Sequence, residues 1–311
     1  MENSKIAVIG LGGVGGYIGA LLAKKYENVT FIVRKNRGEQ IKEKGLTLHS
    51  DYNGEIKVMP ENVVYNGEKF TKQDYIFICV KNYSLEEACE NIKDMVSDDT
   101  VIVPVMNGVD PGNKIRKLIG KGIVLDSLIY IISFIDENGN IVQQGDNPHI
   151  HIGHNENGIQ EIKHAKEVCR SLKDAGIPCA FEEDIEAAIW KKYMLNCAYN
   201  VATACYNEPI GMLRKDEKKA KEYEALVWEA YNVAKKKGVN LKEEDAKRVI
   251  YRFYYEHADN ATSSLQRDVW AGRRTEIETF CGYLVREGNE LSVSVPVMTQ
   301  MYENIMSVIN Q

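Results

Sequence analysis

The chain has 311 residues, 44% hydrophobic and 27% charged, with a net charge of −6. That length exceeds one ordinary core and implies two domains, and the composition is that of a globular protein. The acidic balance argues against a nucleic-acid partner that needs a basic face, and no apolar run is long enough to cross a membrane. No charged and apolar leader precedes the first strand, so no signal peptide is read. The seven cysteines are scattered, odd in number and without a C-x-x-C pair. They read as reduced thiols, and the expected location is cytoplasmic.

The first element is the apolar, β-branched run "IAVIG" from Ile6, a buried strand. Gly10, Gly12 and Gly15 follow at G-x-G-x-x-G spacing, and a helical apolar pattern runs from Val14 to about Ala23. Strand, glycine turn and helix stand in the order of a dinucleotide-binding unit. Gly10 permits the tight turn, Gly12 a close approach of backbone to pyrophosphate, and Gly15 close packing of helix on strand. Gly13 and Val14 open the helix, whose free N–H groups favour phosphate. The same glycines would also serve a plain βα connection.

"NVTFIVR" reads as the second strand, ending at Arg34, with a short helix closing at Gly45. "LTLHS" and "EIKVMP" read as an antiparallel excursion. "DYIFICVK" is a strand, "SLEEACENIKDMV" a helix and "TVIVPVMNG" a strand. The segments from "IVLDSLIYIISFID" to "PHIHIG" are strands joined by "ENGN". "IQEIKHAKEVCRSLKDAG" is an amphipathic helix and "IPCAFEED" a last short strand. Strands alternating with helices imply an α/β, Rossmann-type doubly wound, largely parallel sheet over residues 1–182. From Glu183 the pattern is helical to the end, so an all-α domain is expected over 183–311. Its later helices are placed near Asp216–Lys237, Lys242–His257, Arg273–Glu290 and Val295–Ile309.

An acidic residue at the end of the second strand would hold the adenine ribose of NAD. Here "VRKNR" stands instead, with Arg34, Lys35 and Arg37. No carboxylate repels a 2′-phosphate, and guanidinium suits bidentate phosphate binding, so NADP (NADPH) is expected, with Arg34 the first choice. A solvated basic loop is the competing reading. Lys81 and Asn107 end two successive strands, where ligands of open α/β sheets sit. Asn107-Gly108 would otherwise be only a turn.

The helix from Glu183 is apolar nearly all round, the pattern of a buried helix. Lys192, Asn196 and Asn200 interrupt it at i, i+4 and i+8 and so share one stripe. Such groups need polar partners. They form either a structural network or a polar strip holding a small oxygen-rich anion. Lys191 turns about a quarter of the helix circle away from Lys192.

With the glycine turn and "VR" after the second strand stand "CVKNYSL", "VMNGVD", "WKKYMLNCAYNVATA", "SSLQRDV" and "RTEIE". In this order the chain resembles the ketopantoate reductase (2-dehydropantoate 2-reductase) family. The resemblance implies NADPH-dependent reduction of a 2-keto acid to the D-hydroxy acid, on the route to pantothenate. It implies Lys192 as general acid, Asn196 and Asn200 bonding the substrate's hydroxyl and carboxylate, and Ser264 binding the carboxylate. It implies Glu276 as a catalytic residue that binds or orients the cofactor and Lys192. It places Lys81 and Asn107 near the nicotinamide, with Asn107 also reaching the lysine or substrate.

Two positions depart from the family pattern. Asp126-Ser127 stand where a glycine is usual, and "TEIE" replaces "TEID". A related branched 2-keto acid is therefore an alternative substrate, and a non-enzymatic NADP(H)-binding regulator an alternative function. "PHIHIGH" suggests a metal site, but alternation of His149 and His151 with Ile150 and Ile152 reads as a half-exposed strand, so no metal is expected. The aromatics of "RFYYEH" read as helix packing. The partner expected is a small 2-keto acid, and the helical domain is a candidate for homodimerisation without an identifiable interface.

Overall fold

The computed structural model describes residues 1–154 and 158–310. The chain divides into two compact units, Met1–Ile185 and Glu186–Gln311. In the first unit the elements run β1 (Ile6–Ile9), α1 (Gly13–Lys25), β2 (Val29–Val33), α2 (Lys35–Lys44), β3 (Leu46–Ser50), β4 (Gly54–Val58) and β5 (Asn62–Tyr65). They continue as β6 (Tyr75–Ile78), α3 (Leu85–Ile92), β7 (Val101–Pro104), α4 (Pro111–Ile119), β8 (Ile123–Val124) and β9 (Asp126–Ile135). The unit closes with β10 (Ile141–Gly153), α5 (Ile159–Asp174) and β11 (Cys179–Phe181).

β5, β2, β1, β6, β7 and β8 form a parallel sheet in that order. Every residue of β1, β2 and β7 is buried, as a sheet covered on both faces requires. The strand order reverses direction between β1 and β6, and ligands of such sheets bind beyond the strand ends at this switch point.

A second sheet accounts for the remaining strands. β3 and β4 are antiparallel, as their sequence suggests. They are not an isolated excursion, however. β3 pairs in parallel with β10, which also pairs with β11 and, antiparallel, with β9. α1 packs on β1 and β2 from one side and on β3, β4, β9 and β10 from the other. This double coverage explains why Gly15–Leu22 of α1 is buried throughout. His149 and His151 alternate with the buried Ile150 and Ile152; His149 stacks on Tyr130 and His151 meets the same ring edge-on. Sequence patterning missed β5 and α4. α4 carries its own punctuation, Asp110-Pro111 at the start and a left-handed Gly120 at the end.

The second unit takes up α6 (Ile185–Tyr206) and continues with α7 (Ile210–Lys215), α8 (Glu217–Lys236), α9 (Glu243–Tyr255) and α10 (Ser264–Trp270). A π-helical turn, Glu278–Gly282, runs into α11 (Tyr283–Leu291), followed by α12 (Pro296–Ile309). Residues 273–276 are not helical, so the helix expected from Arg273 starts later, at Ile277. The aromatics of "RFYYEH" do pack: Phe253 stacks on Tyr223 with ring centroids 4.0 Å apart. Among the described residues no helix is long and apolar enough to cross a membrane.

Candidate active site

The glycine turn sits at the end of β1. Gly10 has φ +89, and a Cβ there would lie 2.9 Å from the Val80 amide nitrogen beyond β6. A Cβ on Gly15 would overlap the Gly10 carbonyl oxygen, and one on Gly13 would overlap the Ser133 carbonyl of β9. Gly12 differs, since a Cβ there would meet nothing within 4 Å. Gly12 also N-caps α1 without any side-chain bond, so the helix presents bare N–H groups beside half-buried Val14. Three glycines are thus demanded by packing, and Gly12 leaves open space at a positive helix end. That is the cradle a pyrophosphate needs.

Arg34 is exposed, directly after β2, and N-caps α2. Arg37 stands one turn on, and its Nε and Nη2 are buried without a partner among the described residues. Burial lowers the Arg37 pKa, partly offset by Asp136. Lys81 lies three residues past β6 and Asn107 three past β7. The two loops are tied together, because the Asn82 side-chain amide donates to the Asn107 carbonyl at 2.7 Å.

The departures at Asp126 and Ser127 have a local cause. Asp126 is buried and accepts from Arg116 of α4 at 2.6 and 3.4 Å, and its carboxylate fills the space beside Gly112. Ser127 donates to the Pro104 carbonyl at 2.5 Å. Both side chains are engaged in the architecture of their own unit.

In the helical unit Lys192 is 8% exposed. Burial lowers its pKa to about 8, and Glu276 opposes the shift. Glu276 is itself 5% exposed. It lies in the non-helical segment ahead of the π-turn, where its carbonyl accepts from the amides of Thr279 at 2.9 Å and Phe280 at 3.2 Å. Lys191 points elsewhere, pairing with Asp245 of α9 at 3.0 Å. Farther along α6 the Asn200 amide donates to the Asn196 carbonyl at 3.0 Å, and Asn196 is half-buried. The Asn200 side-chain Oδ1 accepts from Ser264 Oγ and from the Leu265 backbone amide, each at 3.4 Å. The polar stripe therefore faces two segments of its own unit, Glu276 at one end and the start of α10 at the other. Sequence reasoning missed Tyr193 and Cys197. Tyr193 donates to the Thr279 carbonyl at 2.8 Å, and Cys197 to the Phe280 carbonyl at 3.3 Å. A tyrosine inside a largely buried helix signals such a need, because its hydroxyl requires a partner.

The family model of ketopantoate reductase PanE/ApbA matches residues 6–157, and that of the ketopantoate reductase PanE/ApbA C terminal matches 184–308. The chain belongs to the ketopantoate reductase family. It is accordingly an oxidoreductase of that family. The uncharacterised oxidoreductase YkpB of Bacillus subtilis is 32% identical over 97% of both chains. A 2-dehydropantoate 2-reductase of Aquifex aeolicus is 26% identical over 94% of this chain and 93% of its own. A solved D-mandelate dehydrogenase with NADH and anilino(oxo)acetate has the same fold, at TM-score 0.87 and 22% identity, covering 98% of each chain. Relatives of one architecture thus carry names for different substrates, so the family assignment stops short of the keto acid.

Proposed function

We propose that this protein reduces 2-dehydropantoate to D-pantoate with NADPH, a step toward pantothenate. The observation that carries the reading is Lys192, a buried ammonium with a pKa near 8 beside Glu276. A group titrating there can both hold and release a proton at neutral pH.

The residues of the glycine turn fit the cofactor. Open space at Gly12 and the bare start of α1 suit a pyrophosphate. Arg34 is the residue for a 2′-phosphate, and Arg37 has buried N–H groups that an anion would satisfy. When bound, the nicotinamide supplies a hydride to the keto carbon. Lys192 gives its proton to the keto oxygen and stabilises the charge developing there. Glu276 keeps the ammonium charged and oriented. Asn196, Asn200 and Ser264 of the helical unit bond the substrate's hydroxyl and carboxylate, and Lys81 and Asn107 of the sheet unit bind the nicotinamide.

The deciding experiment follows NADPH oxidation with 2-dehydropantoate beside other branched and aromatic 2-keto acids. The highest kcat/KM is expected with 2-dehydropantoate. A higher value with another 2-keto acid would reassign the substrate, and NADPH binding without turnover of any would leave a regulator.

A further inference from the structure

Glu276 acts on Lys192 from a segment that is not an ordinary helix. Its carbonyl takes amides three and four residues on, while the Glu278 carbonyl takes the Tyr283 amide five residues on. The backbone widens from a tight first turn into a π-turn within a few residues. Such turns are rare and persist where neighbours hold them, often at functional sites.

Here the neighbour is α6. Tyr193 is 2% exposed, and its hydroxyl donates to the Thr279 carbonyl at 2.8 Å, with the Phe280 carbonyl at 3.4 Å. One turn along, buried Cys197 donates to the Phe280 carbonyl at 3.3 Å. Thr279 and Phe280 are the same residues whose amides bond to Glu276. A buried carbonyl that loses its donor is costly, so these bonds fix the turn rather than decorate it. The ring of Tyr193 is set edge-on against Trp190 and Tyr283, at 5.4 and 5.9 Å between centroids, which restricts where the hydroxyl can point. Lys192 and Tyr193 are adjacent on α6, so one helix carries both the lysine and the clamp on the segment that carries its carboxylate.

We propose that Tyr193, supported by Cys197, is a positioning residue that clamps the π-turn and thereby holds Glu276 against Lys192. It touches no reacting atom and works through Glu276. The proposal rests on the reductase reading only for its kinetic arm. The titratable groups facing the clamp are Cys197, Cys281 and Tyr283, and the charged group acting on Lys192 is Glu276.

The test compares Tyr193→Phe and Cys197→Ala with Glu276→Gln and the unchanged protein. The first readout needs no turnover. Competitive acylation of the protein across a pH range, read peptide by peptide by mass spectrometry, gives the titration midpoint of Lys192. Glu276→Gln should lower that midpoint, Tyr193→Phe should lower it in the same direction, and Cys197→Ala less so. The second readout is kcat, expected to fall about tenfold in Tyr193→Phe with KM for NADPH little changed, on the scale by which small misplacements slow reactions. If Tyr193→Phe does not fold, Cys197→Ala decides alone. A Lys192 midpoint that stays put or rises in the folded clamp variants overturns the proposal, whatever the turnover assay says of the substrate.

Discussion

At Lys192 burial and charge pull in opposite directions. Desolvation favours the neutral amine, Glu276 favours the ammonium, and the balance falls near 8 rather than at the ordinary 10.5. A general acid must be protonated, so kcat/KM should be level below that value and fall as pH rises through about 8. Lys192→Ala should cost about 10²–10⁴ in rate while NADPH binding persists. Lys191→Ala is the control, because Lys191 is half-exposed and paired with Asp245. Steady-state kinetics and fluorescence titration on both variants check this. Loss of activity in Lys191→Ala instead would move the acid by one residue. Arg34 makes a separate prediction. Arg34→Asp should weaken NADPH about tenfold to a hundredfold by removing a charged hydrogen bond and adding repulsion, and should hardly affect NADH. Equal losses for the two cofactors, measured by calorimetric titration, would remove Arg34 from the 2′-phosphate.

Among the elements, the turn from β1 to α1 separates folding from binding within a few residues. A methyl on Gly15 would overlap the Gly10 carbonyl, whereas one on Gly12 meets nothing. Gly12 has φ −77, which alanine adopts freely. Gly12→Ala should therefore melt like the unchanged protein yet lose dinucleotide affinity, since the methyl occupies the approach to the pyrophosphate. Gly15→Ala should lower the melting temperature itself. Thermal melts with and without NADPH distinguish the two. A Gly12→Ala protein that binds normally would show that the open space is not the phosphate cradle.

For the whole molecule the linkage of ligand and proton to stability is the accessible quantity. NADPH at a hundredfold over its Kd should stabilise the unit that binds it by about 2.7 kcal/mol. At the same concentration Arg34→Asp should keep only about 0.4–1.4 kcal/mol of this gain, and Lys192→Ala should keep all of it. Scanning calorimetry reads both, and a gain lost in Lys192→Ala would tie the lysine to cofactor binding. The sign of the Lys192 contribution with pH is also fixed. Its folded pKa lies below the unfolded one, so between about 8 and 10.5 the unfolded chain binds the extra proton. The penalty for burying the ammonium is complete below that window and relaxes as pH rises through it. Lys192→Met, which has no such proton, should lack this rise when its stability is compared with that of the unchanged chain.

Local patterning was enough to read the strand–glycine–helix start, the alternation of strands and helices, the helical second half and the buried character of α6. These are written in periods of two and 3.6 residues and in glycine spacing, which act between near neighbours. The stripe of Lys192, Asn196 and Asn200 was legible for the same reason. What the stripe faces was not. That Gly13 must be glycine depends on the Ser133 carbonyl, more than a hundred residues away. That β3 and β4 belong to a second sheet depends on β10. That Asp126 has a structural role depends on its bond from Arg116. The helix expected from Arg273 begins only at Ile277, leaving Glu276 outside it, and Tyr193 and Cys197 take the carbonyls of the widened turn that follows. Arg116 is ten residues from Asp126 and the other partners are far more distant in sequence, and in every case the fold brings them together, because hydrogen bonds and close packing act through space. The chain's own periodicity fixes which face a residue occupies, and only tertiary structure supplies what it meets there.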